Sequence, residues 1–313
     1  MDFLTHLMIG FLVSSWISGS FYNHYVVLGS LMAVLPDFDV LLYPLWRRLP
    51  ITGHHGLTHA LAFVAIASTF IYIVTSLAWG YSDTMLLLLM LLTGSLHIFS
   101  DFITTWGVMP LYPLASKYSK LNIDMAVNPY LITYFFIGVL VLAASDLQDI
   151  SLSMKEASEI IGAAYLIYFT LRSALKVYYI TRPENRGFEA LPTFSPFKWN
   201  LVKRTDRDGA IEIILKRGTK ILAYLIPSDE EEGKRRMESI GRCEDLVYTY
   251  WHPQVQDYMR VFSYPYYETR CSDGRLEIAW HSAEMGDAMS IRVRYQDQRL
   301  EIKRVFRGTG KAN

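Results

Sequence analysis

Long apolar runs in the first 180 residues constrain this chain's fold more than any other feature. A hydrocarbon core about 30 Å thick takes roughly 20 apolar residues of helix to cross, and lipid offers backbone polar groups no partner outside the segment. Six runs approach that length: 3–17, 25–42 (interrupted near its end), 57–79, 85–108, 130–147 and 160–180. Charge follows the same division: 17 Asp, Glu, Lys and Arg lie in the first 180 residues, and 43 in the remaining 133. Such a break marks two different solvents. The expected fold is an α-helical multi-pass membrane domain of about six helices, residues 1–181, followed by a small soluble α+β domain, residues 182–313. The start has no basic n-region, and Asp2 and His6 stand there instead, so a cleavable signal peptide is not expected.

The second part opens at Thr181-Arg182-Pro183, with turn formers through Pro192 and Pro196. Residues 199–205, 210–216 and 221–226 read as short strands separated by Asp-Gly and Arg-Gly turns. Residues 230–260 are helical in composition, with a break at His252-Pro253; 275–280, 288–295 and 300–305 read as three further antiparallel strands.

The basic residues predict an orientation. With the N-terminus on one side, the loops of that side carry Arg47, Arg48, Lys117 and Lys120, and Arg172, Lys176 and Arg182 flank the last crossing. The opposite connections, 21–24, 80–83 and 146–159, hold Lys155 as their only basic residue. Both termini are therefore expected in the cytoplasm, with the chain in the cell (inner) membrane. Trp46, Trp79, Trp106 and Tyr112 near helix ends fit interfacial anchors.

Thirty basic against thirty acidic side chains exclude a nucleic-acid binder driven by bulk positive charge. Two cysteines, Cys243 and Cys271, cannot build a disulfide scaffold or a four-thiolate zinc site alone.

Six of the eight histidines lie before residue 98, in the apolar part, where ionisable groups persist when paired, bound to metal or lining a pathway. They fall into clusters with aspartates: Thr5-His6 opening the first run, Pro36-Asp37-Phe38-Asp39 ending the second, Gly53-His54-His55-Gly56-Leu57-Thr58-His59 opening the third, and His97-Ile98-Phe99-Ser100-Asp101 late in the fourth. Alternating crossings bring all four clusters to one membrane boundary. His97 and Asp101, at i and i+4, project from one helix face, and His55 and His59 share that spacing if their helix starts early. Imidazoles with carboxylates form the usual zinc donor set, and more oxygen donors suit manganese or iron. His6, Asp37, Asp39, His54, His55, His59, His97 and Asp101 exceed one tetrahedral shell, so a binuclear site or one metal with a dense surround is expected.

Plainer roles exist for each. His6 alone is an ordinary hydrogen-bonded histidine, Asp37 and Asp39 fit a cap or Asx turn, and His97 with Asp101 fits an intramembrane hydrogen bond. His24 lies in the opposite loop and is excluded, while His252 and His281 read as structural.

On these motifs, with Gly10 and Thr104-Thr105-Trp106-Gly107, the chain resembles the YdjM-like family of LexA-regulated, membrane-bound metal-dependent hydrolases. The likeness covers roughly the first 130 residues, and Pro196–Trp199 resembles the start of the soluble extension in longer members. A more distant similarity is to zinc-dependent phospholipases C, which order an early His, a Pro-Asp, a later His and a His-x3-Asp pair around several zinc ions. It would make His6, Asp37, one of His55 and His59, His97 and Asp101 ligands.

The expected activity is metal-assisted hydrolysis of a phosphoester or related bond in an amphiphilic, lipid-like substrate. Asp39 is the expected proton acceptor. Arg47 and Arg48 are candidates to hold an anionic head group. The expected partners are membrane lipids and an amphiphilic or anionic small molecule, with no nucleic acid. Two rivals remain: a metal-ion transporter, and a membrane anchor with a structural metal. The outer halves of the helices offer a transported ion little beyond Ser, Thr and Tyr.

Overall fold

A computed structural model describes residues 1–42, 56–81, 83–115, 117–147, 151–207, 210–217, 220–227, 249–259, 264–272, 275–284, 286–296 and 299–306. The chain divides into two compact units, Met1–Ser173 and Ala174–Asn313.

Among the described residues, six α-helices form the first part: α1 Phe3–Ser18, α2 His24–Val34, α3 Leu61–Trp79, α4 Thr84–Phe102, α5 Pro129–Asp146 and α6 Met154–Thr181. The last four are long and apolar enough to cross a membrane, and α1 is a shorter apolar helix. Side-chain caps start several of them. Asp2 accepts from Thr5 N, Asn23 from Val26 N, Asp83 from Met85 N and Asn128 from Tyr130 N. Pro129 follows its cap in the first helical turn, where the missing N–H costs nothing.

The second apolar run does not continue as one helix. It ends as α2 at Val34 and tightens into a 3-10 segment, Leu35–Leu42. Pro36 explains the change: it has no N–H for the i−4 bond, and its ring opposes the carbonyl four residues back. The third run likewise opens with a 3-10 turn, Leu57–His59, before α3 begins. These two irregular segments carry Asp37, Asp39 and His59.

Small residues let the helices approach closely. A Cβ on Gly10 of α1 would overlap the Ala33 side chain of α2. One on Gly94 of α4 would stand 2.7 Å from Val64 Cγ1 and 3.1 Å from Met32 Cε. The core joining α2, α3 and α4 contains Met32, Val64, Leu86, Met90 and Ile98, while Ile9, Leu12, Leu131, Phe135 and Ile161 join α1, α5 and α6.

In the second unit two four-stranded antiparallel sheets follow in sequence. The first holds β1 Glu189–Pro192, β2 Trp199–Arg207, β3 Ala210–Arg217 and β4 Lys220–Pro227. The second holds β5 Pro265–Ser272, β6 Arg275–Ser282, β7 Gly286–Gln296 and β8 Arg299–Phe306. Burial follows the period of two: Ile213 and Leu215 on β3, Ile278 and Trp280 on β6, Ile291 and Val293 on β7. Register pairs Ile278 with Val293 and Trp280 with Ile291. Strands β1 and β5 were not expected from sequence. The helical reading of 230–260 lies mostly outside the described residues, as do both turn glycines, Gly209 and Gly218; its described part contains α7, Pro253–Met259.

Candidate metal centre

Four side chains meet where α2 ends, α3 begins and α4 ends. Asp37, His59, His97 and Asp101 each offer one donor atom, and these atoms all lie within 4.8 Å of one another. His59 Nε2 is 3.4 Å from Asp37 Oδ1 and 3.4 Å from Asp101 Oδ2. His97 Nε2 is 3.4 Å from Asp101 Oδ2 and 3.7 Å from Asp37 Oδ1. A tetrahedral zinc shell with bonds of about 2.0–2.2 Å has ligand–ligand edges of roughly 3.3–3.6 Å; these four separations are close to that, and the remaining two lie within 4.8 Å, a group small enough to close on one ion.

The hydrogen bonds behind the donors turn acceptor atoms inward. His97 Nδ1 lies 2.7 Å from the carbonyl oxygen of Ala33. A carbonyl only accepts, so Nδ1 carries the proton, and in the neutral ring Nε2 then presents its lone pair. That Nε2 is buried with no hydrogen-bond partner among the described residues. Asp101 is held at its other oxygen: His6 Nε2 reaches Oδ1 at 3.1 Å, and the Met1 amine also meets Oδ1. Asp101 Oδ2 is the oxygen turned to His59 and His97. The His97 lone pair and two carboxylate oxygens facing one another repel, and a divalent cation between them reverses the sign. It also offsets two carboxylate charges in surroundings where an unpaired charge is costly.

Burial is uneven. The side chains of His59, His97 and Asp101 are fully enclosed, whereas Asp37 is 13% exposed and forms the open edge. The i, i+4 spacing on α4 aligns His97 with Asp101, and Thr104 Oγ1 donates to the Asp101 carbonyl at 2.9 Å where the helix ends.

Residues 1–182 match the YdjM inner membrane protein family. The chain belongs to that family. The YdjM match takes in every helix of the first part and all four donors, and leaves both sheets outside. No curated protein and no solved structure matches the chain.

Within the YdjM region the remaining candidates fall in different places. His6 stacks on His97, ring centroids 3.8 Å apart, and meets Asp101 rather than standing among the four donors. Asp39 is buried, with Oδ2 3.6 Å from His59 Nδ1. Arg47, Arg48, His54 and His55 lie outside the described residues. His24 stacks on Tyr81, at the end of α2 away from Asp37, and His281 is buried against Tyr266 in the second sheet.

Two features escaped the sequence reading. Thr58 donates to Asp39 Oδ2 at 2.9 Å and stands 3.1 Å from His59 Nδ1; its one signal was adjacency to His59. Asp124 anchors a second buried network. It accepts from Tyr168 Oη at 2.9 Å, Asn128 Nδ2 at 2.9 Å and Arg172 at 3.3 Å. Arg172, read as a flanking cation, is 1% exposed.

Proposed function

We propose that this family member is a membrane-bound, metal-dependent hydrolase. It would act on a phosphoester or related bond of an amphiphilic substrate at the cytoplasmic membrane face. The observation that carries this reading is the convergence of two imidazole and two carboxylate donors, three of the four buried, where the segment after α2 and the turn before α3 meet the end of α4. Such a donor set suits zinc, and manganese or iron fit less closely. When bound, the metal supplies Lewis acidity, which activates water and polarises a phosphoryl or carbonyl oxygen.

The chain's own groups hold and orient. His59 and His97 present Nε2, and His6 steadies Asp101 through Oδ1. Asp37, the least enclosed donor, marks the edge by which water and substrate would enter. Arg47 and Arg48 follow that same segment in sequence and would neutralise an anionic head group. A site at a helix-bundle end meets lipid head groups directly, which favours a lipid-like substrate. The excess of basic residues in the loops on this side supports its assignment to the cytoplasm, with both termini.

One observation favours a second reading, a structural metal. Four protein donors complete a tetrahedral shell, as in closed structural sites, whereas catalytic zinc keeps a position open. Cobalt substitution separates the two. The full chain in detergent, loaded with Co(II), should change its visible spectrum on addition of inorganic phosphate if a position is open, and hydrolyse a member of a phosphomonoester, phosphodiester and carboxyl-ester panel. His97→Ala and Asp37→Ala should abolish that hydrolysis. Stoichiometric metal, a phosphate-insensitive spectrum and no hydrolysis would establish the structural role instead.

A further inference from the structure

We infer that Thr58 and Asp39 form a positioning relay behind His59, fixing which of its ring nitrogens faces the donor group. Thr58 has one hydroxyl proton, and it is given to Asp39 Oδ2 at 2.9 Å. The Thr58 hydroxyl oxygen, Oγ1, also stands 3.1 Å from His59 Nδ1. A hydroxyl that has spent its proton can only accept, so the proton of that second bond belongs to His59 Nδ1. Asp39 Oδ2, 3.6 Å from the same nitrogen, stabilises the N–H end of the ring electrostatically. In the neutral ring, Nε2 is then left as a lone pair aimed at Asp37 and Asp101, 3.4 Å from each.

The relay repeats by other means what Ala33 does for His97, whose Nδ1 is bound by a backbone carbonyl. Both imidazoles are thereby locked in the tautomer that a metal requires, and a hydrogen-bonded N–H raises the basicity of the opposite nitrogen. The 3-10 turn Leu57–His59 makes this possible, because it sets Thr58 and His59 side by side while His59 N bonds to the Gly56 carbonyl at 3.1 Å. Asp39 Oδ2 thus stands by the Nδ1 of the His59 ring, whereas Nε2 is the nitrogen near Asp37 and Asp101. The role inferred for Asp39 is orientation of a ligand.

This inference rests on the metal reading, and its test is chosen to fail separately from it. Zinc affinity of the full chain in detergent is measured by competition with a chromophoric chelator, for wild type, Thr58→Val, Thr58→Ser and Asp39→Asn, with melting of each metal-free protein alongside. Thr58→Val and Asp39→Asn are expected to weaken zinc binding roughly 10–100-fold. Thr58→Ser, which keeps the hydroxyl, is expected to remain within about threefold of wild type. A purely structural Thr58 would instead lower the metal-free melting temperature and leave the affinity of the folded protein unchanged. Wild-type affinity in Asp39→Asn, or a Thr58→Ser variant as weak as Thr58→Val, overturns the relay while the metal site stands. If Thr58→Val does not fold, Asp39→Asn and Thr58→Ser decide the matter. A wild type that takes up no zinc overturns the metal reading itself.

Discussion

His97 on α4 donates through Nδ1 to the carbonyl oxygen of Ala33 on α2, 2.7 Å away. The bond satisfies one of the orphan carbonyls at the end of α2 and ties that helix to α4 at the level of the donor group. It also gives His97 two tasks that mutation can separate. Replacement by Ala removes a donor and leaves the buried carbonyl unbonded, at a cost of about 1–3 kcal/mol. His97→Ala is therefore expected to lower the thermal stability of the metal-free protein as well as to reduce zinc affinity by at least about 100-fold. Loss of affinity with unchanged metal-free melting would show that the Ala33 bond contributes nothing to the fold.

Gly94 is expected to tolerate no side chain. A Cβ there meets Val64 Cγ1 at 2.7 Å, and overpacking of this kind costs about 1–3 kcal/mol. Gly94→Ala should destabilise the protein in detergent, and Val64→Ala added to it should restore part of the loss. Gly162 on α6 is the control, because nothing lies within 4 Å of its Cβ position. Gly162→Ala should be neutral or slightly stabilising. Equal effects at the two positions would contradict the packing described for α2, α3 and α4.

Removing one partner of the Asp124–Arg172 pair should be worse than removing both charges. Arg172→Met leaves the Asp124 carboxylate buried without its cation, a change that costs about 3–5 kcal/mol in buried pairs. Asp124→Asn combined with Arg172→Met should recover much of that loss. Thermal denaturation of the single and double variants gives the coupling, and strict additivity would place the pair in contact with solvent.

Much of the site is legible in the chain itself. His97 and Asp101 stand one helical turn apart, and that spacing alone puts them on one face. Alternating crossings then brought His6, Asp37 and His59 to the same end. Spacing could not tell Asp37 from Asp39, because both lie in a 3-10 segment created by Pro36, where neither the helical nor the strand period applies. It could not separate a donor from its support either: His6 and His97 share a boundary, but only the rotation of α1 turns His6 towards Asp101. Arg172 looked like an interfacial cation because its partner, Asp124, sits in an irregular loop that no periodicity marks. In the sheets, β2, β3, β4, β6, β7 and β8 were recognisable from their β-branched runs, whereas β1 is four residues long and ends in proline.

In the second unit, Trp280 Nε1 donates to Thr249 Oγ1 at 2.6 Å, and both side chains are fully buried. Thr249→Val keeps the shape and strands the indole N–H, so a loss of about 1–3 kcal/mol is expected. Thr249→Ser should retain most of the stability. Tryptophan fluorescence during unfolding checks both, and a Thr249→Val protein as stable as wild type would contradict the bond.

The metal content of the purified full chain tests the central claim most directly. Elemental analysis of protein extracted in detergent and reloaded with Zn(II) or Co(II) is expected to find at least one ion per chain, lost in His59→Ala and in Asp101→Asn. A folded wild type that retains no transition metal after reloading, or variants that retain as much as wild type, would contradict it.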